Sequence, residues 1–384
     1  MDAGREQGQD RLREPHGREG AAGRVRRRGE GVQEIAAIVD EQLEAAKREW
    51  SPRFVAHGID PNDFQRTVTR IQTWAGWHDA WVATGDTHLA IAEEAESRGH
   101  LRTAGEAYLR AALCYHYAKN LWLEDLAKVR ATTDRSVATL RRGQRILDPT
   151  FERIEIPFDK DRIVANLRRP AGASRPPVVI LAPGLDAVKE EFPRFEDFFL
   201  ARGMATASLD GPGQGEAGYV NRIRPDHEAA SGALIDVLSR RSDIDASRVG
   251  IAGIGLGGYY ATRSAAFEPR IRAAAAVGGP YTLTPRGHAL RKFMHSAGLA
   301  DEDEARAYAA RFTLEGVASR VLQPYLVLHG KLDAGMPWEE AARKAREARQ
   351  GELVVYPEGK TACYTVDHIA KPYLADWMGD KLRA

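Results

Sequence analysis

The stretch VGIAGIGLGGYYATRSA, residues 249–265, runs from an apolar strand-like segment into a helix-like one through a glycine-rich corner. A corner of the form Gly-x-Ser-x-Gly presents a serine hydroxyl at a sharp strand-to-helix turn, under the positive end of the following helix. Here the corner reads Gly253-Ile254-Gly255-Leu256-Gly257, so the nucleophile position carries no side chain. Two backbone N–H groups, that of Leu256 and one from the loop at Leu185, can still form an oxyanion hole. Such a pair stabilises an enolate as well as a tetrahedral intermediate, and enolate chemistry requires no serine. Three other stretches carry polar residues after apolar runs: APGLDAVKEEF (182–192), DGPGQGE (210–216) and HGKLDAGMP (329–337), the last with Asp333.

Positioning these loops requires strands that end together. FERIEIPFD and DRIVANLRRP alternate as two strands of a hairpin. PPVVILAPG is a continuous apolar run, the signature of a strand buried on both faces. Helix-like and strand-like segments then alternate to the C-terminus, which predicts a mostly parallel sheet with helices on both faces and the hairpin as an antiparallel edge. Ligands of such sheets lie beyond the carboxyl ends of the strands, where all four loops fall. Residues 31–147 show no strand signal and read as an N-terminal all-helical domain, its first stripe formed by Ile35, Ile38, Val39 and Leu43. Residues 148–384 form the sheet-containing core, with a helical insertion at about 284–318. Residues 1–30, ending in GRVRRRGEG, lack apolar periodicity and are expected to be a disordered tail.

Composition narrows the classes. Lys and Arg number 55 against 54 Asp and Glu, which gives no reason to expect nucleic acid or membrane as partner. The two cysteines are far apart, and no Cys/His cluster has zinc-ligand spacing. No apolar run approaches the roughly 20 residues of a membrane span. The expectation is a soluble, cytoplasmic protein with neither metal nor cofactor, acting on a small molecule.

The stretches GLDAVKEEF, DGPGQGE, GIGLGGYYATRSAAFEPRIRAAAAVGGPY, HGKLD and YPEG with ADW resemble the α/β-hydrolases grouped with the fermentation–respiration switch protein and the 2,6-dihydroxypseudooxynicotine hydrolase. The resemblance runs over about residues 31–384. It implies an α/β-hydrolase core, a helical cap over the pocket, and a homodimer as the frequent assembly. Carried over by position, the family's Ser-Asp-His triad falls on Gly255, Asp333 and Thr361, the last fixed by Cys363 and Ala375-Asp376-Trp377. Two triad positions are therefore replaced, and Asp333 is the retained one. Some family-like proteins of tetronate polyketide pathways eliminate acetate, and fungal members shorten polyketides.

These features predict a repurposed, lyase-type enzyme acting on an enolisable, polyketide-like small molecule by elimination or cyclisation. Direct water attack on an ester or C–C bond is one alternative, and a non-catalytic ligand-binding protein is another. Asp333 is the expected base or orienting carboxylate. Lys189 is expected to orient its loop through an ion pair, with contact to substrate as a second reading; Lys360 is a candidate cation. Trp77, His78, Tyr115 and His116 are candidates for a roof over a flat substrate, the other reading being helix–helix core. His368 is expected outside the cleft, at the entrance of a helix beginning near Pro372.

Overall fold

The computed structural model describes residues 41–383; the tail expected over residues 1–30, and Ile35, Ile38 and Val39 of the first helical stripe, lie outside them. Eight strands form one sheet: β1 (Glu152–Phe158), β2 (Asp161–Arg168), β3 (Pro177–Ala182), β4 (Ala205–Asp210), β5 (Asp245–Ile254), β6 (Ile271–Val277), β7 (Pro324–Gly330) and β8 (Gln350–Tyr356). Their order is β1-β2-β4-β3-β5-β6-β7-β8. β1 and β2 pair antiparallel, β2 meets β4 antiparallel, and the remaining pairs are parallel. The hairpin thus caps one edge of a parallel sheet, as its alternating pattern predicts.

All six residues of β3 are buried. Successive side chains of a strand point to opposite faces, and here they enter two different cores. Val178 and Ile180 join Ile251, Leu234 and Ala261 on one face; Val179 and Leu181 join Phe195, Leu374 and Met378 on the other. Helices on both faces are what a fully apolar strand demands, because neither side can be left to water.

Among the described residues a helical stretch over 41–49 and then α1 (Ser51–His57), α2 (Pro61–Thr69), α3 (Trp77–Ser97), α4 (Leu101–Lys119) and α5 (Leu126–Leu147) precede the sheet. Small residues let them approach closely. A Cβ on Gly85 would stand 2.5 Å from the Tyr115 ring, and one on Gly105 would stand 2.5 Å from Leu147. Phe54, Trp74, Trp77, Trp81 and Tyr117 form the aromatic centre of this layer. The insertion resolves into α9 (Gly287–Ala297) and α10 (Glu302–Ala309), which follow α6 (Pro193–Leu200), α7 (Glu228–Ser239) and α8 (Leu256–Phe267). The chain ends in α11 (Trp338–Glu347) and α12 (Asp367–Arg383). α12 begins five residues before Pro372, which lies inside it; a proline taken as a first-turn marker therefore misplaces the start. His368 is in its first turn and exposed.

Candidate active site

β5 ends at Ile254, Gly255 turns with φ 59° and ψ −126°, and α8 begins at Leu256. The flanking glycines are there for close approach. A Cβ on Gly253 would meet the Gly257 carbonyl oxygen at 1.8 Å, and one on Gly257 would meet the Ala182 oxygen at 2.0 Å. Gly255 differs: a Cβ there would have no heavy atom within 4 Å, so it would project into open space. Glycine adopts this left-handed conformation at little cost.

That open space is a cavity of about 590 Å³. Its walls are the elbow (Ile254, Gly255, Leu256), the loop after β3 (Gly184–Ala187), the segment after β6 with Pro280–Arg286, the loop after β7 with Met336, and Thr361, Ala362 and Tyr364. Arg53 reaches it from α1, and Glu340 from α11. Among the described residues the lining contains no serine, cysteine or histidine. Leu185 and Leu256 both line it. The first N–H groups of a helix have no intrahelical acceptor, which leaves that of Leu256 available. Gln214 Nε2 donates to the carbonyls of Pro183 and Gly184, at 2.9 and 2.8 Å. In a trans peptide the N–H points opposite to the carbonyl, so this clamp turns the Leu185 N–H away from Gln214.

Of the two roles expected for Asp333, base or orienting carboxylate, its placement does not fit the base. It does not line the cavity. Its Oδ1 accepts the N–H groups of Gly335 and Met336 at 3.0 and 3.1 Å, and its Oδ2 accepts that of Ala362 at 3.1 Å. Three amides consume the carboxylate and tie the β7 loop to the segment holding Thr361. Thr361 is exposed at the cavity wall. The next two residues, Ala362 and Cys363, take left-handed conformations at φ 51° and 59°. Such non-glycine residues cost about 1–3 kcal/mol each and persist where surroundings hold them; the Asp333 bond to Ala362 is one such restraint.

Lys189 is fully buried. Its Nζ donates to Asp210 at 2.8 Å and Glu216 at 2.9 Å and lies 2.7 Å from Glu190, while its backbone N–H takes the other Asp210 oxygen at 2.8 Å. Burial opposes the charge, yet the three carboxylates outweigh it and raise the ammonium above its ordinary range. Lys189 therefore anchors the loop after β3 to the end of β4 and does not reach the cavity. Lys360 is exposed and outside the lining.

The four proposed roof residues do not face the cavity. Trp77 donates its indole N–H to the Tyr117 carbonyl inside the helical core. His78 bonds Thr132 and Asp79 and stacks on Trp122. The Tyr115 hydroxyl donates to Asp86. His116 is fully buried, its Nε2 3.2 Å from Glu191. Trp77, His78 and Tyr115 point to neighbouring helices and His116 points to Glu191 after β3, because a helical stripe of aromatics satisfies packing and buried partners first.

Sequence reading missed the charge cluster that joins the helical layer to the elbow. Arg53 Nε and Nη2 donate to Glu191 at 2.6 and 2.8 Å, and Nη1 donates to Asp186 at 2.5 Å. Tyr117 donates to Glu191 at 2.9 Å, and His57 Nδ1 donates to the Glu191 carbonyl at 2.8 Å. Burial disfavours the Glu191 carboxylate, but the Arg53 guanidinium and its hydrogen bonds reverse this and hold it well below the usual range. Burial opposes the charge of the half-buried Arg53 guanidinium, but Asp186 and Glu191 outweigh it and hold the group above its ordinary range. The only sequence signal was the presence of Asp186 and Glu191 in the quoted loop; Arg53 lies 138 residues away from its partner. Glu340 was missed as well. Its Oε2 accepts the Tyr281 N–H at 2.9 Å, and no cation lies within 4 Å of it among the described residues.

Burial also lowers several histidines, among them His57 to about 3, His116 to about 4 and His227 to about 3. The unfolded chain binds these protons near pH 6.5 while the folded chain stays neutral. Folding stability is thus complete above about pH 6.5 and falls as pH drops towards 4, by up to about 1.4 kcal/mol per pH unit for each histidine. Urea midpoints measured from pH 7.5 to 5 are expected to fall steadily below 6.5. A flat profile would contradict the burial of these rings as neutral groups.

No helix among the described residues is long and apolar enough to cross a membrane, and no group of three or more His, Cys, Asp or Glu residues is arranged to hold a metal ion. Residues 53–292 match the family described as esterase FrsA-like. The chain is 33% identical over 315 residues to the 2,6-dihydropseudooxynicotine hydrolase of Paenarthrobacter nicotinovorans, covering 80% of this chain and 85% of that protein. It is 31% identical to the alpha/beta hydrolase xenA of Xenoacremonium sinensis, over 59% of this chain and 57% of the relative. The crystal structure of the 2,6-dihydroxy-pseudo-oxynicotine hydrolase superposes with a TM-score of 0.79 at 31% identity, covering 86% of this chain and 95% of that one. AbyA5 superposes with a TM-score of 0.66 at 19% identity, over 79% of this chain and 89% of the other, a likeness of fold alone. With its strand-elbow-helix corner, mostly parallel sheet and helical N-terminal layer, the chain belongs to the FrsA-like esterase family of α/β-hydrolases.

Proposed function

We propose that this chain is a lyase-type enzyme of secondary metabolism, eliminating acetate from an O-acetylated, enolisable, polyketide-like small molecule such as a tetronate. One observation carries the reading. The elbow position opens into the cavity with no side chain, while Leu185, Leu256 and the carboxylates of Asp186 and Glu340 line the wall. Glu340 removes the proton next to a carbonyl; the C–H electron pair passes to the carbonyl oxygen. The N–H groups of Leu185 and Leu256 hold the resulting enolate. Re-formation of the carbonyl makes the carbon–carbon double bond and breaks the bond from carbon to the acetoxy oxygen. Acetate leaves with that electron pair, and the proton stays on Glu340 until exchanged with water. Arg53 adds positive potential at the wall while its own donors keep Asp186 and Glu191 in place. A preorganised donor of this kind is worth about 2.7–4 kcal/mol by mutational precedent.

Hydrolysis by direct water attack is the second reading, favoured by the hydrolase that is 33% identical to this chain. The two separate on product. Incubation with an O-acetyl tetronate followed by mass spectrometry is expected to give the alkene, the substrate minus acetic acid. The free alcohol without alkene would overturn elimination. Saturable binding with no turnover would overturn both and leave a binding protein.

A further inference from the structure

A second, smaller chamber of about 60 Å³ lies behind the elbow cavity, and the two share Leu185, Asp186 and Ala187 as a common wall. Lys119, the last residue of α4, and Lys292 of α9 both line it. Neither ammonium has a carboxylate within 4 Å or a hydrogen-bond acceptor among the described residues. Lys119 is 6% exposed and Lys292 is half-buried. Burial lowers the proton affinity of both: Lys292 goes to about 8, lowered further by Lys119, and Lys119 is lowered although Glu190 and Asp210 partly offset its burial. Around them stand Asn120, Ser296, His295 and the Gly213-Gln214-Gly215 loop. The Ser296 hydroxyl is buried and has no partner. The acidic group in the lining is Asp186, whose carboxylate is taken by Arg53. Burial also keeps His295 neutral, lowered to about 4, so it can donate one N–H without adding charge.

Buried charges are normally paired, because leaving an ion uncompensated costs several kcal/mol. Two amines facing one chamber, neither with a carboxylate in direct contact among the described residues, depart from that rule. We propose that this chamber is a binding site for a small carboxylate anion, seated between Lys119 and Lys292 with the Ser296 hydroxyl as a further donor. The occupant is either a free small carboxylate or the carboxylate end of a larger ligand, and both present the same two oxygens to the lysines. Because residues 185–187 face both spaces, an anion here also bears on the Leu185 N–H and the Arg53–Asp186 pair. The binding test below does not rely on turnover at the elbow, so either proposal can fail without the other.

The test is thermal unfolding of the full chain in chloride buffer with rising sodium acetate, with acetamide as the neutral control. Wild type is expected to gain melting temperature saturably with acetate and not with acetamide. Lys292→Met and Lys119→Met, each relieved of one uncompensated cation, should melt at or above wild type without acetate and lose at least tenfold in acetate affinity. Lys360→Met, on the exposed surface, should respond as wild type. Stabilisation by acetate and not by benzoate assigns the site to a small free carboxylate; stabilisation by both assigns it to the end of a larger one. No saturable shift, or the same shift in the two chamber variants as in wild type, overturns the proposal.

Discussion

Glu191→Ala is expected to remove about 3–5 kcal/mol of folding stability, the range for stripping one partner from a buried ion pair. The carboxylate accepts two guanidinium N–H groups from Arg53 and the Tyr117 hydroxyl, all at 2.6–2.9 Å. Its removal leaves a buried cation with Asp186 alone, and Tyr117 without an acceptor. Both side chains belong to the helical layer while Glu191 belongs to the sheet domain, so the loss falls on the joint between them. Replacing the pair together with apolar residues, Arg53→Met with Glu191→Leu, should recover most of the stability, since well-packed apolar pairs substitute for buried ions at little net cost. Urea denaturation of the three proteins checks this. A loss below about 1 kcal/mol for Glu191→Ala would mean that water reaches the cluster and that the joint is weaker than its geometry indicates.

The second large effect concerns chemistry. Glu340→Gln should lower turnover by about 10²–10⁴-fold, the contribution of a positioned general base. The substitution keeps an acceptor oxygen for the Tyr281 N–H, so the wall should hold its shape and KM should change little. Asp333→Asn acts through another route. It weakens the bonds that join Gly335, Met336 and Ala362, and should raise KM and lower kcat together by disturbing the loop. If Glu340→Gln retains full turnover, the proton is taken elsewhere, and Asp186 is the other carboxylate in the lining.

How far the sequence leads is clear from particular residues. The apolar run at Val178–Leu181 and the glycine spacing at 253–257 are local signals, and each has one cheap structural solution: a strand buried on both faces, and a corner packed against Ala182. The elbow and the absence of a side chain at Gly255 were therefore readable. The Arg53–Glu191–Asp186 cluster was not, because a contact spanning 138 residues leaves no periodicity in either segment. Roles within the loops also escape sequence. Lys189, Asp333 and Glu340 are all polar residues near strand ends, yet the first serves three carboxylates, the second three backbone amides, and the third faces the cavity. The aromatic helices failed for a related reason: helical spacing gives a face but not what the face meets, and Trp77, Tyr115 and His116 meet other helices or the Glu191 cluster.

The central claim is that the carbon-to-acetoxy bond breaks, with no acyl group passing to the protein or to water. Turnover of an O-acetylated substrate in water enriched in heavy oxygen tests this directly, by the mass of the acetate released. Elimination predicts acetate with no heavy oxygen, because both of its oxygens come from the substrate. Acetate carrying one heavy oxygen would show cleavage at the acyl carbon, by water or through an acyl-enzyme, and would contradict the account.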